Sequence, residues 1–205
     1  MEQEQNEEYQ VEELNSGNET LAFKVIPMPP DGSCFYHCIL AACSGQPFFE
    51  EKMDLCVDKC ISLMFDTAKK SKASFERVTV LRMLVAQSLT EEDFENYNIM
   101  AIAEDATPCQ SLRQLKGLVS LTNEYANIVI INALVRLFGK SLGIVILVNG
   151  EVTSDDIWME GYDNYVFLKL HGYHYDLYQF YDKQAQRPYP YLITNKQMEQ
   201  WDIAV

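Results

Sequence analysis

Pro29-Pro30-Asp31-Gly32-Ser33-Cys34-Phe35-Tyr36-His37-Cys38-Ile39-Leu40 places a chain break, a turn and a helix start side by side. Two prolines cannot lie inside a helix and Asp-Gly favours a turn, so an extended segment bends at Asp31-Gly32 and enters a helix near Ser33 or Cys34. Cys34 then occupies a first helical turn. There the free backbone N–H groups and the positive end of the helix dipole stabilise an anion, which predicts a thiol of lowered pKa and N–H groups able to hold an oxyanion. Phe35, Cys38, Ile39 and Ala42 recur at helical spacing, so one face of the helix docks on a core while its first turn faces a cleft. A cysteine displayed this way is a candidate nucleophile. Taken alone, a cysteine that begins an apolar helix reads better as a buried small hydrophobe.

A second stretch, Tyr165 to Tyr178, reads as two aromatic-rich strands joined by a short turn at His171-Gly172. Side chains two apart in a strand share a face, so His174 and Asp176 point one way while Tyr173, Tyr175 and Leu177 point the other. The carboxylate is placed to accept the imidazole Nδ1–H, fixing the tautomer and leaving Nε2 to take a proton from a thiol. A strand histidine satisfied by a backbone carbonyl is the competing reading. His171 lies in the turn and out of phase with Asp176. His37 follows Cys34 by three residues on nearly the same helical face, without an acid on its own helix, and reads as a supporting polar contact.

Together the two stretches resemble the ovarian tumour (OTU) class of deubiquitinating cysteine proteases. The nucleophile motif of that family, Asp-Gly-x-Cys followed by large apolar residues, is matched by Asp31-Gly32-Ser33-Cys34-Phe35-Tyr36, and its late His-aromatic-Asp/Asn motif by His174-Tyr175-Asp176. Between them Thr122 to Asn127, followed by Ile128 to Val148, fills the place of a polar segment that opens a helix and leads into a core strand. The family's usual tryptophan there is replaced, which bears on substrate preference. The resemblance spans about residues 24 to 182. It implies a papain-like α/β (α+β) fold, a small central mixed β-sheet flanked by helices, and cleavage of the isopeptide bond after the terminal glycine of ubiquitin. Cys34 would be the nucleophile, His174 the base and Asp176 its orienting acid. Asp31 would contribute through its backbone, and Gly32 and Ser33 would contact substrate; Tyr173, from its position beside the base rather than from a family motif, is expected to line the channel for the Gly-Gly tail. No cofactor and no metal are implied. Two alternatives stay open: a ubiquitin-binding module without catalysis, and a protease of the same fold acting on a ubiquitin-like modifier or a viral polyprotein.

The chain has 205 residues, nearly half of them apolar, enough for one domain with a substantial core. A formal net charge of −14 argues against nucleic acid and against anionic membrane surfaces. A basic partner is easier to accommodate, and ubiquitin or a polyubiquitin chain would fit; the protein is expected to be a monomer. Met1 to Glu13 is acidic and polar rather than a secretory leader, and no apolar run is long enough to span a membrane. Six cysteines, three in one helical segment, look reduced, so the expected location is cytoplasmic, in the host cytosol if the source is viral or pathogenic. Cys56 and Cys60 stand one turn apart without a nearby histidine and read as core.

In chain order, residues 1–20 are expected to form a flexible acidic tail, 21–185 the protease-like domain and 186–205 a C-terminal extension that either packs back on the domain or extends as an add-on. Helices are predicted over 48–69, 78–87, 98–106, 111–119 and 123–138. Thr90 is expected to cap the Glu91-Glu92-Asp93 turn and Gly139 to close the last helix. Leu142 to Val148 reads as a strand buried on both faces. Thr153 to Asn164, with Trp158, reads as an acidic loop.

Overall fold

The computed structural model describes residues 11–13, 20–64, 77–121, 124–148, 151–152, 161–201 and 203. Its strands are β1 (Val11–Glu13), β2 (Leu21–Ile26), β3 (Gly143–Val148), β4 (Glu151–Val152), β5 (Asn164–His171), β6 (His174–Asp182), β7 (Arg187–Pro188) and β8 (Ile193–Thr194). Its helices are α1 (Cys34–Cys43), α2 (Pro47–Met64), α3 (Arg77–Ser88), α4 (Glu91–Ala103), α5 (Leu112–Ser120), α6 (Ile128–Phe138) and α7 (Asn195–Gln200). The sheet is mixed, in the order β1-β2-β6-β5-β3-β4, with β7 on β6 and β8 on β5. Among the described strands only β3 and β5 run parallel; the other pairs are antiparallel.

Alternation along the central strands divides the core. Ile144 and Ile146 of β3, Val166 and Leu168 of β5, and Tyr175 and Leu177 of β6 face a large cluster built with α1, α3 and α6. Val145, Leu147, Tyr165, Phe167, Tyr178 and Phe180 face the opposite side. Both faces of β3 are therefore covered, as its unbroken apolar run requires. The second face is closed by the stretch expected as a C-terminal extension. Ile193 and Met198 are buried in its cluster, and Trp201 lies 5.2 Å from the Phe180 ring and 4.7 Å from Tyr189. The side chains after residue 186 thus complete the domain, because the aromatic face of β2 and β6 would otherwise meet water. Val11–Glu13, inside the stretch expected as tail, pairs with β2, whose outer edge offers free N–H and C=O groups. Residues 1–10 and 14–19 lie outside the described ones.

Local signals account for the helix boundaries. Pro47 opens α2, the first helical position suiting its missing N–H; residues 65–69 of the expected helix lie outside the described residues. Thr90 and Asp93 form a reciprocal capping box that starts α4. With no proline or glycine to interrupt it, α4 runs through Asn98, where a new helix was expected. The Asn98 side chain instead holds both the N–H and the carbonyl of Cys109. The Asn127 side chain accepts from Val129 and Ile130 N–H, so α6 begins at Ile128 rather than at 123. Gly139 ends α6 with φ +56°, as expected for a C-cap glycine. The 153–160 loop and Trp158 lie outside the described residues. No helix among the described residues is long and apolar enough to cross a membrane.

Candidate active site

The Pro29-Pro30 break, the Asp31-Gly32 turn and the α1 start occur where the sequence puts them, and they set Cys34 against β6. The backbone N–H of Tyr175 donates to Cys34 Sγ at 3.4 Å, and one turn later Cys38 Sγ reaches the Tyr175 carbonyl at 3.7 Å. The thiol is thus fixed on the peptide that follows His174. The Tyr175 ring packs edge-on against Phe35 at 5.5 Å, and its hydroxyl donates to the Ala126 carbonyl. One residue therefore ties together the cysteine helix, the histidine strand and the segment leading into α6.

His174 and Asp176 share a face, with His174 Nε2 3.0 Å from Asp176 Oδ1. This corrects the expected nitrogen: Nε2 holds the acid, so Nδ1 is the nitrogen left for a thiol. Asp176 Oδ1 also accepts from the Met28 N–H at 2.9 Å, which binds the lead-in to the cysteine turn to the acid. Asp176 is buried, so this carboxylate is held in place by its donors rather than by water.

His171 is not out of phase. The two-residue turn Gly172-Tyr173, with Gly172 at φ +61°, pairs His171 directly with His174 across the hairpin. Directly opposed residues lie on one face, and His171 Nε2 stands 3.1 Å from Asp176 Oδ2. Two imidazoles thus converge on the two oxygens of one carboxylate. Residue counting along one strand puts His171 out of phase, but the turn carries it onto the neighbouring strand, where its pairing with His174 sets its face.

The thiol pKa also departs from the expectation. Burial pushes the Cys34 thiol up, and nearby Asp31 adds to this, against backbone N–H groups of Tyr175 and Phe35 that pull it down. Cys34 is 1% exposed, so desolvation outweighs the helix terminus. The expected oxyanion donors are engaged as well. Asp31 N–H is given to the Pro29 carbonyl at 2.8 Å and Cys34 N–H to the Asp31 carbonyl at 3.2 Å. The Asp31 side chain shapes the turn, accepting from Ser33 N–H at 2.8 Å, and its other oxygen lies 3.4 Å from His37 Nε2. Ser33 is buried, its N–H donating to Asp31 and its Oγ accepting from Arg82, so both groups help to hold the turn.

A cleft of about 420 Å³ opens beside the histidines, between Pro27, Met28 and Pro30 on one side and Tyr125 and Tyr173 on the other. Tyr173 is 78% exposed, and its ring lies 6.4 Å from that of Tyr125. The two tyrosines form a wall beside His171, His174 and Asp176.

In structure, the chain is similar to solved OTU domains. An OTU domain in complex with ubiquitin aligns over 89% of this chain and 81% of its own, with 15% identity and a TM-score of 0.49. The Hazara virus OTU bound to ubiquitin aligns over 85% of this chain and 96% of its own, with 16% identity and a TM-score of 0.38. The OTU domain protease from Taggert virus aligns over 83% and 92%, with 13% identity and a TM-score of 0.33. No protein-family model matches the sequence, and no curated protein matches it.

Arg82 on α3 is a site-shaping residue to which neither composition nor the OTU motifs point. It is 0% exposed, donates to the Gly32 carbonyl at 2.8 Å, to Ser33 Oγ at 3.3 Å and to the Glu124 carbonyl at 2.9 Å, and lies 4.5 Å over the Tyr36 ring. Its guanidinium braces the cysteine turn against the segment that carries Tyr125. The only sequence signal is a lone arginine among Val80, Leu81, Leu84 and Val85, a cation on the apolar side of a helix.

Proposed function

We propose that this protein is a cysteine-type deubiquitinase that hydrolyses the isopeptide bond after the C-terminal glycine of ubiquitin. The single observation that carries the reading is the seat of Cys34 Sγ on the Tyr175 N–H, one peptide from a histidine whose ring is held by Asp176. A thiol, an imidazole and a carboxylate in that order are the parts needed for nucleophilic acyl transfer.

In the proposed reaction His174 Nδ1 takes the Cys34 proton as sulfur attacks the carbonyl, and Asp176, on Nε2, stabilises the imidazolium that forms. The tetrahedral intermediate collapses with its C–N bond broken, and the lysine amine leaves with the proton from His174. Water, deprotonated by the same ring, then hydrolyses the thioester and frees the thiol. The Asp31 and Cys34 N–H groups, turned to Pro29 and Asp31 in the resting turn, would swing to the oxyanion as substrate displaces those carbonyls. Gly32, at the centre of this turn, lets the backbone approach the substrate closely. The cleft lined by Met28, Pro30, Tyr125 and Tyr173 would take the Gly-Gly tail, which has no side chains to clash with the tyrosine wall. Ubiquitin as the substrate follows from the Asp31-Gly32-Ser33-Cys34 and His174-Tyr175-Asp176 motifs.

The engaged oxyanion donors and the buried thiol favour one second reading, a ubiquitin-binding module whose triad does not turn over. Incubation with a panel of di-ubiquitin linkages separates the two. The deubiquitinase reading expects mono-ubiquitin from at least one linkage with the native chain and none with Cys34→Ala. Binding of ubiquitin with no cleavage of any linkage would support the module instead.

A further inference from the structure

We propose that His171, His174 and Asp176 form a binding site for a divalent transition-metal ion of the zinc class. The donor atoms of the three residues all lie within 4.8 Å of one another, with the two Nε2 atoms 3.1 and 3.0 Å from the two carboxylate oxygens. Zinc ligands at about 2.0–2.1 Å in a tetrahedron stand about 3.3 Å apart, so the two hydrogen-bonded contacts must open by a few tenths of an ångström and the widest pair of donor atoms, up to 4.8 Å apart, must close by about 1.5 Å, a movement open to the exposed His171 side chain. Two imidazoles and one carboxylate suit zinc, nickel or copper and offer too few oxygens for magnesium or calcium. Three protein ligands leave a fourth position, and it opens on the cleft beside Tyr173. Access is provided by His171, whose side chain is 55% exposed. The Met28 N–H on Asp176 is an outer donor of the kind that orients a ligating carboxylate.

Binding changes which ring nitrogen carries the proton without adding or removing one. A neutral imidazole that gives its Nε2 lone pair to a metal carries its one proton on Nδ1. Nδ1 of His174 is then a donor and cannot take the Cys34 proton. On the deubiquitinase reading, the ion is a reversible inhibitor, and His171, which that mechanism does not use, supplies the third ligand.

The test is a titration of the full-length protein with zinc against a chromogenic chelator, repeated with cobalt for its absorption spectrum. Cys34→Ala is expected to bind one ion as tightly as the native chain. His171→Ala, whose folding is checked by its melting temperature, is expected to bind roughly 100-fold more weakly. Bound cobalt should lack the thiolate charge-transfer absorption. Unchanged affinity in His171→Ala, or a thiolate spectrum lost on cysteine substitution, would overturn the site. In a second arm, zinc should slow labelling by a ubiquitin probe bearing a C-terminal electrophile, with His171→Ala less sensitive and a chelator restoring the rate. A native protein that the probe never labels counts against the deubiquitinase reading alone, because the titration decides the metal site without it.

Discussion

The sulfur of Cys34 accepts a hydrogen bond from the backbone N–H of Tyr175, joining residues 141 positions apart in the chain. The contact depends on two independent local choices. Pro29-Pro30 and Asp31-Gly32 aim the start of α1, and the hairpin turn at Gly172-Tyr173 sets the register of β6. Cys38, one helical turn on, holds the carbonyl of the same residue, Tyr175, so α1 and β6 are fixed in both slide and rotation.

Arg82 should matter to both stability and turnover. Arg82→Met removes the donor from the Gly32 and Glu124 carbonyls, which are partly buried, so each loss should cost at most about 1–3 kcal/mol. Arg82→Lys, which cannot span both carbonyls with a planar fork, should fall between. Thermal denaturation should give melting temperatures in the order native, Lys, Met. Di-ubiquitin cleavage rates should follow the same order, since the turn carrying the proposed oxyanion donors loses its brace.

Stability should decline on the alkaline side. Burial pushes the Cys43 thiol up to about 12 and raises Cys34 and Cys38 too. Above the ordinary thiol value of 9.0 the unfolded chain loses these protons while the folded one keeps them, so unfolding releases protons and is favoured as pH rises. Denaturation midpoints measured between pH 8 and 11 should fall with pH, and Cys43→Ala should flatten the slope. For the same reason, iodoacetamide should alkylate Cys34 in the free protein more slowly at neutral pH than it does an exposed thiol.

Two glycines should respond oppositely to alanine. A Cβ at Gly143 would lie 2.8 Å from Tyr162 Cδ2 and 2.9 Å from Tyr165 Cδ1, inside the two-sided core strand. Gly143→Ala should therefore destabilise by about 1–3 kcal/mol. Gly117, inside α5, has nothing within 4 Å of the same position. There the change should stabilise by about 0.5–1 kcal/mol, readable as a shift of the urea midpoint.

Much of this was legible because the signals are local. The proline pair, the Asp-Gly turn, the Thr90 box and the alternation of β5 and β6 each act over a few residues. The closing of the second sheet face by Ile193, Met198 and Trp201 was not, since nothing near those residues tells which surface they cover. His171 was within reach: a two-residue turn at 172–173 forces it opposite His174. Arg82 was not, because its partners are carbonyls of Gly32 and Glu124, and a backbone oxygen leaves no mark in the sequence. The thiol pKa turned on the balance between burial and the helix terminus, and the depth of Cys34 is set only by packing.

The central claim, that Cys34 is a nucleophile served by His174, is tested most directly with ubiquitin bearing a C-terminal electrophile, read by intact mass and peptide mapping. One ubiquitin per chain is expected, attached at Cys34, absent in Cys34→Ala, strongly slowed in His174→Ala and retained in His37→Ala. An adduct on another cysteine, or labelling that survives His174→Ala and is lost in His37→Ala, would contradict it.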